Sequence, residues 1–124
     1  MSKILLVDDY YESREIYASL LKSHGEEVVE INDGEQALNK ILNEKYDLIL
    51  LDLLLPKINA IDILKKVKER KINLSDLKII VMYVLGQEKL AQDAVKYGAR
   101  EKVLKSTLSP QDTVENILKH LADS

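Results

Sequence analysis

Residues 47–56 read DLILLDLLLP, and this stretch decides the fold. Four consecutive apolar residues, Leu48, Ile49, Leu50 and Leu51, lead into a single carboxylate, Asp52. A short, bounded apolar run suits a strand buried on both faces, as in a parallel sheet covered by helices. Asp52 then falls at the carboxyl end of that strand, where open α/β sheets place their ligands. The N-terminal region has the same form, with Ile4–Val7 running into the pair Asp8 and Asp9. Two buried strands that both deliver acid at their carboxyl ends are the strongest chemical signal in the chain.

Working outward, residues 3–7 read as the first strand, and Ile16, Tyr17, Leu20 and Leu21 then recur at helical spacing. Glu12 lies near the start of that helix and His24-Gly25 marks its stop. Residues 27–31 form a short second strand, and Asn32-Asp33-Gly34 supplies turn chemistry that can also cap a helix. Ala37, Leu38, Ile41 and Leu42 give the next helix its apolar stripe; Ile61, Leu64 and Val67 mark the one after the third strand. Residues 77–82 (LKIIVM) are the fourth strand, and Gly86 and Gly98 bracket a helix carrying Leu90, Ala94 and Val95. Residues 102–104 are a brief fifth strand. Ser109-Pro110 opens a last helix with Val114, Ile117, Leu118 and Leu121. Five alternations of strand and helix joined by short loops imply a parallel sheet with helices on both faces.

The 124 residues suit one domain, with no length left for an appended effector domain. A hydrophobic content of 46% with 31% charged residues is that of an ordinary globular protein. The net charge of −3 provides no global basic field for nucleic acid or anionic membrane. The basic run at residues 65–71 (KKVKERK) contains Glu69 and shares its helix with an apolar stripe, so a solvated face is expected and nucleic-acid contact is not. Absence of cysteine excludes disulfides, thiolate chemistry and Cys-ligated zinc. No signal peptide and no apolar stretch of membrane-spanning length is apparent, so the expectation is a cytoplasmic domain with no membrane partner.

In a doubly wound sheet the first and third strands can be neighbours, so that Asp8, Asp9 and Asp52 share one pocket. Carboxylates so gathered repel: a pair about 4 Å apart costs roughly 4 kcal/mol at an effective dielectric near 20. The cluster needs a cation, a proton or an ammonium. All-oxygen donors with open water positions suit Mg²⁺ better than Ca²⁺. Lys105, at the end of the fifth strand, is the available fixed positive charge.

Asp8-Asp9, Asp52 with Pro56 four residues on, Gly98-Ala99 and Lys105 together resemble the pattern of two-component response-regulator receiver domains. The resemblance covers nearly the whole chain in the right order. It implies a flavodoxin-like, doubly wound five-stranded parallel sheet in the order 2-1-3-4-5 with five helices. It also implies that Asp52 accepts a phosphoryl group from a histidine kinase or phosphotransfer protein. Asp9 would ligate Mg²⁺ directly, Asp8 through water, and the Leu54 carbonyl would complete the protein ligands. Lys105 would pair with the acyl phosphate. As a nucleophile, Asp52 is expected to be already ionised at neutral pH and to need no general base. The donor histidine belongs to the partner, since His24 and His120 fall on helices far from the strand tips.

Five positions depart from that pattern. Tyr83 stands where a Thr or Ser usually ends the fourth strand, followed by Val84 in place of a small alanine. Lys102 takes the aromatic switch position, Ser106 replaces the usual proline, and Ala60 replaces a glycine. All touch the output side, so phosphorylation is expected to survive while the threonine–aromatic coupling is not. Tyr83 or the loop at 84–87 would then move instead. In an alternative reading Tyr83 blocks the pocket and the domain is an unphosphorylated docking module. Leu54 and Leu85 flank the acceptor, and neither can orient a water, so a long-lived phosphoryl group is expected. A Mg²⁺-dependent phosphatase would carry a second acid at position 54, where this chain has Leu54. Lys105-Ser106-Thr107 lacks the preceding glycines of a P-loop, so nucleotide binding is not expected. Output through contact with an unknown protein target would use the face bearing Lys89, Gln92, Lys96 and Lys102, whose polarity suits a monomer or weak homodimer. Tyr10 and Tyr11 would meet the kinase.

Overall fold

A computed structural model describes residues 2–105 and 109–122. Five strands, β1 (Lys3–Val7), β2 (Glu27–Ile31), β3 (Leu48–Asp52), β4 (Ile79–Tyr83) and β5 (Glu101–Leu104), form one sheet in the order β2-β1-β3-β4-β5. Every pairing is parallel. Five helices connect and follow them: α1 (Tyr11–Ser23), α2 (Gly34–Asn43), α3 (Ala60–Glu69), α4 (Glu88–Lys96) and α5 (Pro110–Ala122). The parallel sheet with helices on both faces expected from the alternating pattern is observed, in the flavodoxin-like strand order that the family resemblance implies.

Strand alternation splits the core in two. Ile4, Leu6, Leu48, Leu50, Ile80, Met82 and Val103 face Tyr17, Ala18 and Leu21 of α1 and Val114 and Ile117 of α5. Leu5, Val7, Ile49, Leu51, Ile79 and Val81 face the apolar stripes of α2, α3 and α4. The central strands are therefore apolar at consecutive positions because both of their faces are covered. Polar groups are confined to the strand ends.

Local chemistry sets the helix boundaries. Asp33 caps α2 by accepting from the Gln36 amide at 2.8 Å, and Asn59 caps α3 by accepting from that of Asp62 at 3.0 Å. Gly25 and Gly98 close α1 and α4 in left-handed conformations, φ 88° and 120°. At α4 the Gly98 amide reaches the Val95 carbonyl at 3.1 Å and that of Ala99 reaches Ala94 at 3.0 Å, the paired reverse bonds of a Schellman turn. The fourth strand begins two residues later than its apolar run, because Leu74–Asp76 form a single 3₁₀ turn, and it ends one later, at Tyr83.

Gly34 locks the loop after the acceptor. Its amide donates to the Pro56 carbonyl at 3.1 Å, and a Cβ there would overlap the Ile58 carbonyl. Gly25 needs its positive φ, yet a Cβ there would meet nothing within 4 Å. Gly34→Ala should therefore cost about 2–3 kcal/mol in urea unfolding. Gly25→Ala should cost about 1 kcal/mol.

Candidate functional site

The strand order places the ends of β1 and β3 side by side, with Val7 paired to Leu51. Asp52 ends β3, and Asp8 and Asp9 follow β1 directly. One carboxylate oxygen from each of Asp8, Asp9 and Asp52 lies within 4.8 Å of the others. Lys105, one residue past β5, reaches across the end of β4 into this cluster. Its Nζ donates to Asp8 Oδ2 at 2.7 Å and to Asp52 Oδ2 and Oδ1 at 2.9 and 3.1 Å. The four residues singled out in the sequence are brought together.

Their environments differ. Asp8 is fully buried, 0% exposed, which a charged group tolerates only when its oxygens are bonded. Oδ1 accepts from the Tyr10 amide at 2.9 Å, while Oδ2 takes the lysine ammonium. Asp9 is exposed at the mouth, and Asp52 is half-buried between the two. Leu54 lies in the β3–α3 loop and lines the same cleft of about 180 Å³, together with Leu53, Met82, Val84 and Gln87.

Burial pushes the Asp52 carboxyl up to about 8: the Lys105 ammonium pulls it down and Asp8 adds repulsion, but burial is the largest effect and sets the direction. For Asp8, burial also raises the value, but hydrogen bonds to Asp52 and Lys105 outweigh it and the net shift is downward. Lys105 is held protonated: burial lowers its value, and the two carboxylates more than compensate. Burial thus favours the neutral form of Asp52 in the metal-free chain, while Asp8 is held ionised. The expectation of an Asp52 already ionised at neutral pH runs against this shift, because burial penalises its charged form. Three oxygen donors around a partly solvated cleft fit a hard divalent ion.

The switch positions lie elsewhere. Tyr83 and Lys102 do not line the cleft: Tyr83 packs against the core on the α2–α3–α4 side. Asp52 pairs with Met82, so alternation gives Met82 the acceptor's face of the sheet and Tyr83 the opposite one. Val84 does line the cleft. Leu85 is 79% exposed at its rim, and Ser106 lies outside the described residues. Tyr10, Tyr11, Lys89, Gln92 and Lys96 are exposed and Lys102 is partly so. His24 ends α1 with Nδ1 2.9 Å from the Leu20 carbonyl, and His120 is on the last turns of α5. Sequence reading missed Arg14, whose guanidinium donates to the Asp8 carbonyl at 2.9 Å and reaches Glu30 at 3.4 Å. A basic residue one turn into a helix that follows two acids is the signal that could have exposed it.

A five-stranded parallel sheet with three acids and a lysine at its carboxyl edge defines a class of signalling domain. The chain matches the response regulator receiver domain family over residues 4–118 and belongs to it. It is 35% identical to the transcriptional regulatory protein CpxR homolog of Haemophilus influenzae, across 94% of this chain and 56% of that protein. The chain thus spans little more than half the length of that relative. Identity to the chemotaxis protein CheY of Thermotoga maritima is 30%, across 94% of this chain and 95% of that one. Among solved structures, the response regulator TrrA of Thermotoga maritima in complex with Mg²⁺ and BeF superposes with a TM-score of 0.79 at 30% identity, covering 97% and 99% of the two chains. A CheY-like receiver domain protein of Methanospirillum hungatei gives 0.82 at 26% identity, covering 98% and 94%. Receiver domains are the signalling switches of two-component systems and bind Mg²⁺ at an acidic pocket. Among the described residues, no helix is long and apolar enough to cross a membrane.

The raised Asp52 value fixes a pH dependence. The folded chain holds more protons than the unfolded one between the ordinary carboxylate value of 3.8 and about 8, so its stability falls as pH rises through that window. In metal-free buffer, Asp52→Asn should gain on the wild type from pH 4 to 8, by on the order of 2 kcal/mol in chemical denaturation. Added Mg²⁺ should stabilise the wild type and leave the variant nearly unchanged. A gap independent of pH would contradict the raised Asp52 value.

Proposed function

We propose that this chain is a phospho-accepting switch in which Asp52 takes a phosphoryl group from a histidine kinase or phosphotransfer protein. The observation that carries the reading is the convergence of Asp8, Asp9 and Asp52 on one cleft with the Lys105 ammonium. In the transfer, an Asp52 oxygen forms a new P–O bond as the bond to the donor breaks, and the electron pair leaves with the donor. Asp9, Asp52 and the Leu54 carbonyl would hold Mg²⁺ directly, with Asp8 acting through water. When bound, Mg²⁺ supplies the positive charge that phosphoryl transfer needs. Lys105 already bonds both Asp52 oxygens, so its ammonium is placed to follow charge onto the incoming phosphoryl oxygens.

Tyr83 packs away from the cleft, which favours phosphorylation over the docking-module reading in which the phenol fills the pocket. Beyond Asp9 and Asp52, the described lining residues are Leu53, Leu54, Met82, Val84, Gln87 and Lys105. None of these is an acid that could serve the repeated turnover of a phosphatase. Leu54 and Leu85 are 54% and 79% exposed at the rim and offer no polar group to orient an attacking water. Output passes to a protein target by contact.

Incubation with a small acyl phosphate and Mg²⁺ should add one phosphoryl group to the wild type, read by intact mass, and none to Asp52→Asn. Chelating the metal should abolish the addition. No incorporation into the wild type would leave the docking module as the better reading.

Once formed, the phosphoryl group should persist for minutes or longer after the donor is removed. Its loss within seconds in Mg²⁺ buffer would overturn the role given to Leu54 and Leu85.

A further inference from the structure

Tyr17 stands out on α1. It is 3% exposed, in a core layer otherwise built of aliphatic side chains, alanine and one methionine. A phenol so buried carries a hydroxyl that must find a partner. That partner is Thr113 of α5, itself 4% exposed. The ring lies 5.8 Å from the Lys105 ammonium, within the range in which a cation is drawn to an aromatic face. Thr113 Oγ1 is in turn 3.4 Å from the carbonyl of Leu104, the residue immediately before Lys105.

These contacts close a circuit on one residue. The Leu104 carbonyl meets Thr113, Thr113 meets the Tyr17 hydroxyl, and the Tyr17 ring meets the Lys105 ammonium. The backbone before the lysine and the tip of its side chain are thereby tied to the same α1–α5 seam. We infer that Tyr17 is a positioning residue for Lys105, holding the ammonium over the acceptor while leaving it free to slide. This inference rests on the proposed phosphoryl transfer to Asp52.

The physical reason lies in what the ammonium must do. A lysine side chain has several rotatable bonds, and fixing them is entropically costly. A covering ring narrows the accessible conformers without a directional bond. A third carboxylate in place of the ring would anchor the ammonium against movement and add more repulsion to the cluster. The ring's attraction changes little as the ammonium shifts by an ångström or so from Asp52 toward a phosphoryl oxygen. Thr113 keeps the ring from rotating away by holding its far end.

The test is the rate of Asp52 phosphorylation by a small acyl phosphate with Mg²⁺, in wild type, Tyr17→Phe, Tyr17→Leu, and Tyr17→Leu combined with Lys105→Ala. Tyr17→Leu should slow incorporation by about fivefold or more, and Tyr17→Phe, which keeps the ring, should recover most of it. In the Lys105→Ala background, Tyr17→Leu should have less than about a twofold effect, since the residue through which it acts is gone. Equal slowing with and without Lys105, or none in either, would overturn the inference. A second measurement does not depend on phosphorylation: the NMR signals of the Lys105 side-chain methylenes in the metal-free protein. Tyr17→Leu should move them by removing the ring current, and Tyr17→Phe should largely preserve them. Unchanged signals in Tyr17→Leu would also overturn it. A wild type that takes up no phosphoryl group but shows the NMR shift would sink the proposed transfer and leave the Tyr17–Lys105 contact standing.

Discussion

One ammonium between two carboxylates is the contact on which the site depends. Lys105 donates to Asp8 at 2.7 Å and to Asp52 at 2.9 Å, and its side chain is only 10% exposed. Without it, Asp8 would be a charge buried at 0% exposure with no cation beside it, its Oδ1 bonded to the Tyr10 amide. The contact is possible only in this strand order. β1 and β3 are neighbours, but β5 is separated from β3 by β4, so the cation must span a whole strand. A long flexible side chain with a compact charge and three donors suits that span and that shared site. The rigid fork of an arginine matches a single carboxylate edge better.

The same constraint divides labour among the acids. Asp8 and Asp9 are consecutive, so an extended backbone sends them in different directions. Asp8 turns inward to meet Lys105 and the Tyr10 amide, while Asp9 stays in solvent. Asp52 sits between these extremes, and burial holds its carboxyl well above the usual carboxylate range. Its raised value is therefore a consequence of burying a carboxyl beside Asp8.

Much of this was legible in the sequence. Buried parallel strands announce themselves as unbroken apolar runs, so the runs at residues 4–7 and 48–51 fixed β1, β3 and the acids at their ends. Asp33 and Ser109-Pro110 marked the starts of α2 and α5 through local capping chemistry, which needs no tertiary information. What stayed hidden depends on register and on contacts between distant segments. Counting along the chain located Tyr83 at the end of β4 but could not say which way it faces. Only the pairing of Asp52 with Met82 settles that. Tyr17 read as helix packing because its spacing matches Ile16, Leu20 and Leu21, while its partners Thr113 and Lys105 lie about ninety residues away. Nor can spacing reveal the upward shift of the Asp52 carboxyl, which arises from burial.

Lys105 also bears on how a signal could leave the site. The two helical layers face opposite sides of the sheet and share few groups. The Lys105 amide donates to the Tyr83 carbonyl at 2.7 Å, and Tyr83 packs against the α2–α3–α4 layer. The carbonyl of the preceding Leu104 meets Thr113 in the α1–α5 layer, where Tyr17 covers the ammonium. Lys105 thus straddles both layers, with its backbone pinned on one side and its tip on the other. A switch requires an element with two arrangements that the bound group biases. A displaced ammonium would pull on the end of β5 between Tyr83 and Thr113, giving the site a mechanical route to either surface. That route requires neither a hydroxyl at position 83 nor an aromatic ring at position 102.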